Sequence, residues 1–288
     1  MALLVESALL SLLQARGYRR RWLVGGRVHA LEVAGAGALP GVLLLHGLCS
    51  CAADFAPFIR LLRPHVRRIL ALDLPGHGWS RPPAPGVGAE GLHALTLAAL
   101  DELVTEPVLV VGNSLGGVGA VRYGLTRPER TVGLALVSPA GAPMSAEALA
   151  ALLAPFSSGD PDGARRLMRA VLARPGPLKT ALLAWGAGRR MSQPALRAFL
   201  AAIHPDALLR AEEVQALRPP TLLVWGEAER LLPEPHLDFF REHLRGARVE
   251  RPPALGHAPF TEDPRRAFDL IFDFFSKINR ENGSVNAA

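Results

Sequence analysis

The sequence predicts an α/β fold: a mostly parallel, eight-stranded sheet with helices on both faces and an inserted helical cap. Short apolar runs of strand length alternate with helical stretches over the first 140 residues. Strand-like runs are missing from 141–218 and then resume. The chain has 288 residues, of which 49% are hydrophobic, so it can bury a core without disulfides or metals.

Eight strands are expected along the chain. The first two, 21–24 and 28–33, flank Gly25 and Gly26, and a two-glycine turn favours a β-hairpin. The third, 42–45, is an unbroken apolar run typical of a central parallel strand. The other five strands are expected at 66–72, 107–111, 131–137, 221–225 and 248–251.

Helices are expected between these strands, at 54–62, 89–104, 115–126, 234–244 and 264–278. Asp263 is a favourable N-cap and Pro264 suits the first helical position, so the start of the last helix is well specified. Alternating strands and helices of these lengths indicate βαβ units with right-handed crossovers.

The change of pattern divides the chain into a first core segment (1–140), a helical cap (141–218) and a second core segment (219–288). Apolar residues in the cap should mostly pack on the core, and the remainder should line a substrate pocket. They are Leu152, Leu153, Phe156, Leu167, Met168, Leu172, Leu182, Leu183, Trp185, Met191, Phe199 and Ile203. Arg189 and Arg190 are interpreted as solvated helix charge, with contact to a substrate carboxylate as the alternative.

The net charge of +6 does not by itself indicate nucleic-acid binding. The arginine pairs are scattered, interleaved with acidic residues and not accompanied by stacking aromatics, so no nucleic-acid partner is expected. No stretch is apolar enough for a transmembrane helix. Residues 1–14 are predicted to form an amphipathic helix, which could contact a membrane surface or a second copy of the chain.

Two cysteines are present, and they indicate a reducing, cytoplasmic environment. Cys49 and Cys51 are too close in the chain for an easy disulfide. They also have no cysteine or histidine companions at zinc-site spacing, so no metal is expected.

The strongest local motif is Gly112-Asn113-Ser114-Leu115-Gly116, between a predicted strand and a predicted helix. A serine on such a sharp turn is held in a strained backbone conformation with an exposed hydroxyl, and small neighbours avoid clashes. The helix start also offers backbone N–H groups to a developing oxyanion. The alternative is a turn serine whose glycines serve only packing.

A serine hydroxyl needs a base, and the base needs a carboxylate to orient it. His257 is the favoured base because it follows the last strand, ahead of the final helix. His46 and His77 lie in glycine-rich turns, where a structural role is favoured. Glu229 follows the seventh strand and is the expected acid, with Glu227 as the rival.

In combination, these motifs resemble the α/β-hydrolase fold family over residues 25–278. The order nucleophile, acid, base is the family's order, and the loops at 73–80 and 256–259 are similar to family loops. The resemblance implies that the turn after His46 is an oxyanion loop, with the backbone N–H groups of Leu48 and Leu115 as donors. One departure is Glu229, where family members of this kind usually have aspartate.

The resemblance and the serine together predict a cofactor-free serine hydrolase acting on esters of small to medium apolar substrates, with His46, Asn113 and Trp185 as candidate substrate contacts. One alternative is hydrolysis of a C–C bond in a ring-cleavage diketone. Asn113 beside Ser114 resembles those enzymes, but the loop at 48–51 lacks their Gly-Pro-Gly run. Another alternative is a non-catalytic ligand-binding protein of this fold.

Overall fold

A computed structural model describes residues 13–157 and 160–285 of the chain, with side chains described as far as residue 281. It contains one eight-stranded sheet in the order β1-β2-β4-β3-β5-β6-β7-β8. The strands are β1 (Tyr18–Leu23), β2 (Val28–Ala34), β3 (Gly41–Leu45), β4 (Arg68–Leu72), β5 (Val108–Asn113), β6 (Thr131–Val137), β7 (Thr221–Val224) and β8 (Arg248–Glu250). Strands β3 to β8 run parallel, whereas β1 and β2 pair antiparallel to their neighbours. The predicted fold class is confirmed.

The helices of the described chain are α1 (Ala56–Leu62), α2 (Ala89–Leu103), α3 (Leu115–Thr126), α4 (Ala146–Ser157), α5 (Pro161–Val171), α6 (Pro177–Met191), α7 (Pro194–Ala201), α8 (Ala211–Gln215), α9 (Glu234–His243), α10 (Pro259–Glu262) and α11 (Pro264–Val285). Helices α4 to α8 lie between β6 and β7, within the span predicted for the cap. The domain boundaries themselves stay predictions.

The central strands are apolar throughout because both faces of the sheet are covered. Along β3, Leu43 and Leu45 pack into one apolar cluster with side chains of α2, α3 and α9. Val42 and Leu44 point the other way, into a second cluster with α1 and α11. The two-residue period of a strand thus divides one apolar run between two cores.

The cap has a smaller core of its own, to which Phe156, Leu167, Met191 and Leu196 contribute. Cys49, from the loop after β3, packs into the same cluster, so the cap sits directly on that loop. Leu182 and Trp185 are not packed, with exposed fractions of 65% and 58%. Leu182 lines a cavity beside Ser114, as expected for the apolar cap residues that do not pack.

Several element boundaries differ from those predicted. Strand β1 begins at Tyr18 rather than 21, because its arginines pair with β2 across the hairpin. Helix α11 continues to Val285, beyond the predicted end at 278. Its start is as expected: the Asp263 carboxylate accepts a 3.0 Å hydrogen bond from the N–H of Arg266.

The predicted N-terminal amphipathic helix falls mostly outside the described residues, which begin at Leu13. Leu13 itself is buried against the second apolar cluster. Among the helices that the structure describes, none combines the length and apolar character needed to cross a bilayer.

Candidate active site

Ser114 occupies a sharp turn between β5 and α3. Its backbone has φ = 53° and ψ = −118°, a conformation that side-chain-bearing residues rarely adopt. The turn is held by bonds from the Ser114 N–H to the Val137 carbonyl (3.1 Å) and to the Ser114 carbonyl from the N–H groups of Gly117 (2.8 Å) and Ala140 (3.0 Å). The carboxyl end of a central strand therefore presents the serine at the edge of the sheet.

The glycines of the motif allow close approach of backbone at this turn. A Cβ built on Gly116 would overlap the carbonyl group of Leu45 at the end of β3. A Cβ built on Gly112 would overlap the carbonyl of Gly116 and lie 2.8 Å from Ala120 Cβ. Both contacts involve atoms that cannot move aside easily, so small residues are required here.

The first prediction concerns these glycines. We expect Gly116→Ala to lower the free energy of unfolding by about 2–4 kcal/mol, because the new methyl group meets backbone. Gly119→Ala is the matched control in the same helix, since its Cβ would lie 3.4 Å from Leu45 Cδ1. That control should be neutral or stabilising by up to about 1 kcal/mol. Urea unfolding curves measure both, and equal effects would contradict this account of the turn.

His257 and Glu229, 28 residues apart, meet at the same edge of the sheet. Nδ1 of His257 lies 2.8 Å from Oε2 of Glu229. The other carboxylate oxygen, Oε1, accepts hydrogen bonds from the N–H groups of Leu231 (2.8 Å) and Leu232 (3.1 Å). Because Nδ1 is engaged by the carboxylate, Nε2 is the ring nitrogen left to exchange a proton with another group.

The Glu229 carboxylate is stabilised in its charged form. Its side chain is 2% exposed, and this burial alone would raise its pKa. The charge and hydrogen bond of His257 and the backbone N–H of Leu232 outweigh burial and lower the pKa of Glu229 to about 2. Glu227, the rival acid, is exposed at the surface.

The second prediction follows from this pKa. A carboxyl group whose pKa falls from 4.5 to about 2 on folding adds stability above pH 4.5, and the contribution disappears as the pH falls through 2. It is on the order of 3 kcal/mol at neutral pH. Between pH 4.5 and pH 2, the free energy of unfolding should therefore fall less in Glu229→Gln than in the unsubstituted protein. Urea titrations at several pH values test this, and parallel curves would contradict it.

The loop that carries His257 is fastened to both the core and the cap. The Nδ2 group of Asn113 donates to the carbonyls of His257 (3.1 Å) and Val137 (3.0 Å). The N–H of His257 donates to the Val171 carbonyl at the end of α5 (2.9 Å). Asn113 lines the cavity beside Ser114, but its amide nitrogen is committed to joining the serine turn to the histidine loop.

His46 also lines that cavity, with both ring nitrogens bonded to backbone. Nδ1 donates to the Gly47 carbonyl (2.8 Å) and Nε2 accepts from the N–H of Leu74 (3.1 Å). Burial lowers the pKa of His46, which keeps the ring neutral. These bonds agree with a structural role for His46. Both of its ring nitrogens are occupied, so neither is available to bond a substrate.

Trp185 is a predicted substrate contact, but its side chain faces outward. Its ring lies on the outer side of the cap, with the Arg189 guanidinium 5.1 Å from the ring centroid. It lines a surface groove between α5 and α6 rather than either cavity beside Ser114. This outward position disfavours the substrate contact, which stays a prediction, because the helical period alone does not say which apolar face turns inward.

Two backbone N–H groups flank the serine. Leu115 is the first residue of α3, so its N–H has no partner within the helix. Leu48 lies in the turn after β3, and a Cβ built on Gly47 would lie 3.2 Å from Ser114 Cβ, so this turn touches the serine. Within the described chain, no hydrogen bond occupies the N–H of Leu48 or Leu115. Both N–H groups are therefore candidates to donate to an oxyanion beside Ser114.

Ser114 lies where two cavities meet. The apolar chamber, of about 150 Å³, is lined mainly by Leu92, Leu149, Leu152 and Phe199 of the core and the cap. The histidine chamber, of about 280 Å³, is lined by His257, Met168, Asp54 and Arg190 among others. Ser114 and Leu48 contribute to both chambers, whereas His257 lines only the second.

The histidine chamber holds an ion pair that the sequence did not reveal. Arg190 of α6 contacts Asp54 through two nitrogens, at 2.7 and 2.9 Å, and also donates to the Cys49 carbonyl at 3.3 Å. Burial opposes a charged Asp54, but Arg190 holds the pKa of that carboxyl below its usual range. The pair joins residues 136 positions apart, and no local pattern could have predicted it.

The groups gathered here are of the kinds that an attack on a carbonyl group requires. The site offers a strained serine, a histidine fixed by a buried carboxylate and two backbone donors, which together suit acyl transfer. Among the described residues, no group of three or more histidine, cysteine, aspartate or glutamate side chains is arranged to hold a metal ion.

Comparison with known proteins agrees with this arrangement. A family profile described as "Alpha/beta hydrolase family" matches residues 42–270. A 2-hydroxy-6-oxononadienedioate/2-hydroxy-6-oxononatrienedioate hydrolase of Cupriavidus pinatubonensis is 30% identical over 224 residues, which cover 72% of this chain and 76% of that protein.

Solved structures show the same fold at lower identity. A 2-hydroxy-6-oxo-6-phenylhexa-2,4-dienoate hydrolase from Rhodococcus matches with a TM-score of 0.78 at 21% identity, covering 90% of this chain and 99% of that one. The naproxen esterase of Bacillus subtilis matches with a TM-score of 0.71 at 21% identity, covering 90% of each chain. The family profile, the sequence relative and the eight-stranded sheet agree: this chain is a hydrolase that belongs to the alpha/beta hydrolase family.

Proposed function

We propose that this chain hydrolyses carboxylic esters of small to medium apolar substrates through an acyl-enzyme on Ser114. The proposal is carried by the position of Ser114, in its strained turn at the junction of the two chambers. His257, held by Glu229 at 2.8 Å, lines one of these chambers.

The proposed reaction has two halves. Ser114 Oγ bonds to the ester carbonyl carbon and passes its proton to Nε2 of His257, while the backbone N–H groups of Leu48 and Leu115 stabilise the oxyanion. The tetrahedral intermediate collapses by breaking the bond to the alcohol oxygen, which takes the proton from His257. Water, deprotonated by His257, then attacks the acyl carbon, and the acid leaves with the proton returned to Ser114 Oγ.

The two chambers suggest how an ester would lie. The leaving alcohol must receive a proton from His257, so it belongs in the histidine chamber that this residue lines. The acyl chain then occupies the apolar chamber, whose leucine and phenylalanine side chains suit a hydrocarbon.

The charges of the histidine chamber favour a neutral leaving group. Leaving its two histidines aside, the described lining contains one acidic residue, Asp54, and one basic residue, Arg190. These two pair with each other. A substrate carboxylate entering this chamber would have to displace Asp54 from Arg190 or be repelled by the negative charge of Asp54. An uncharged alcohol avoids this cost.

The second candidate is hydrolysis of a C–C bond in a ring-cleavage diketone. It is supported by the sequence relative, whose name specifies a dienedioate, and by Asn113 beside the serine. In the histidine chamber, the pairing of Arg190 with Asp54 argues against it, because a substrate carboxylate there needs a cation that is available.

A substrate panel tests the proposal against this alternative. We would measure kcat/KM for p-nitrophenyl esters of graded acyl length and for one ring-cleavage diketone, using the unsubstituted protein and Ser114→Ala. The proposal expects ester turnover that depends on Ser114 and declines once the acyl chain outgrows the apolar chamber. Serine-dependent cleavage of the diketone with no ester turnover would instead assign the C–C reaction.

Three further expectations stay proposals. Cys49 and Cys51 are buried free thiols, and we propose a reducing cytoplasmic environment for them. We also propose that the reaction needs no cofactor, because the serine, the histidine and the two backbone donors supply its chemistry. Contact of residues 1–14 with a membrane or a second copy is proposed from the sequence alone.

A further inference from the structure

The outer side of the cap carries an exposed apolar stripe. On α6, Leu178, Leu182 and Trp185 are spaced by four and three residues, so they share one face of the helix. Their exposed fractions are 84%, 65% and 58%, which are the largest among the exposed large hydrophobic residues of the described chain. Thr180, Ala184, Ala187 and Met191 form the opposite, buried face of α6. The stripe is therefore not needed to pack the cap.

Cations lie beside this stripe, since Arg189 stacks over Trp185 and Arg165 lines the same surface groove as Trp185. Residues 160–193, which span α5 and α6, contain seven arginine and lysine residues and two aspartates, a net charge of +5. The whole chain has a net charge of +6, so the remaining residues together contribute only +1. Arg190 is paired with Asp54 in the histidine chamber, so the other charged residues of this segment carry a net charge of +4.

Four of these cations face outward. Arg165, Arg166 and Arg169 are exposed on α5, and Arg189 lies over the ring of Trp185 at the end of the stripe. Arg166 and Arg169 form no ion pair with any other described residue, and the one partner of Arg165 is the exposed Asp162 at 3.1 Å. An exposed aromatic and two leucines set among arginines match an anionic lipid surface, with headgroups for the cations and acyl chains for the stripe.

We propose that this face of the cap, formed by α5 and α6, docks on anionic lipid bilayers. Leu182 belongs both to the stripe and to the lining of the histidine chamber, so the bound surface lies beside the entrance to Ser114. An apolar substrate dissolved in the bilayer could enter the chamber without crossing water. Lipid binding itself does not depend on the ester reaction; only its use for substrate entry rests on the function proposed above.

Vesicle sedimentation tests the docking. The full chain would be mixed with vesicles of phosphatidylcholine alone and with vesicles containing about 30% phosphatidylglycerol. We expect binding to the anionic vesicles, weaker binding to the neutral ones, and loss of binding as salt is raised. Substituting Arg165, Arg166 and Arg169 together with glutamine should weaken partitioning on the order of 100-fold, since each cation near such a surface contributes about fivefold.

A second variant removes the stripe without changing charge. Leu178→Ser, Leu182→Ser and Trp185→Ser together should weaken partitioning at least about tenfold, because the apolar insertion is lost. Matched controls outside the cap are Arg241→Gln with Arg245→Gln, and Val249→Ser, all at exposed positions. Circular dichroism of each variant confirms that it is folded, and Ser114→Ala should bind vesicles like the unsubstituted protein.

The outcomes separate the alternatives. Loss of anionic-vesicle binding in both cap variants, with the controls unchanged, supports the proposal. The proposal is overturned if the unsubstituted protein does not bind anionic vesicles, or if the cap variants bind them as well as the unsubstituted protein does. A dimer in solution that the stripe variant alone abolishes, without vesicle binding, would assign the face to a second copy instead. Because sedimentation measures no turnover, an inactive protein that still binds would count against the ester reaction and not against the docking.

Discussion

Ser114→Ala is expected to reduce kcat for a p-nitrophenyl ester by a factor on the order of 10⁴ to 10⁶. The hydroxyl is the atom that bonds to the carbonyl carbon, and an alanine leaves only the backbone donors and binding to act on the ester. Removing one oxygen from a side chain at the edge of two open chambers should leave the fold intact. Thermal unfolding should therefore change little while turnover disappears.

The control for this loss is a serine that has no place in the site. Ser192 follows α6 and donates to the Gly188 carbonyl on the exposed side of the cap. Ser192→Ala should keep the activity of the unsubstituted protein. A Ser114→Ala protein that retains a tenth or more of kcat would show that Ser114 is not the nucleophile.

Glu229→Ala should cost a factor of about 10³ to 10⁴ in kcat, with a smaller change in KM. Glu229 contacts Nδ1 of His257 at 2.8 Å and so fixes which ring nitrogen faces the substrate. Without the carboxylate, the imidazolium formed when Ser114 gives up its proton loses its counter-charge in a buried place.

The matched control is Glu227→Ala, two residues away on the same loop. Glu227 is exposed, so its removal should change kcat by less than about twofold. Glu229→Asp should recover part of the lost activity, since it restores the charge on a shorter side chain. The reverse pattern, with Glu227→Ala inactive and Glu229→Ala active, would reassign the acid.

That His257 contacts Glu229, and that Ser114 and His257 line one cavity, could be anticipated from the sequence because each of the three residues follows a predicted strand. Parallel strands bring their carboxyl ends to one edge, so residues far apart in the chain converge there without any knowledge of side-chain contacts. The strained turn of Ser114 was likewise predictable, since its glycines are needed wherever backbone passes this close.

The cap could not be predicted to the same depth. The helical period predicts its helices, but a period does not fix which face of a helix turns inward. The side chain of Trp185, for example, faces outward. The pair of Arg190 with Asp54 depends on how α6 crosses the loop after β3, and this crossing is decided by packing.

Covalent labelling of the folded protein with a fluorophosphonate tests the central claim most directly. The reagent phosphonylates a serine whose proton is removed by a neighbouring base, and peptide mass spectrometry locates the adduct. The account predicts one adduct, on the peptide containing Ser114, which is absent from Ser114→Ala and from the unfolded chain. A folded protein that takes no label, as a ligand-binding member of the family would, or that is labelled at another serine, would contradict it.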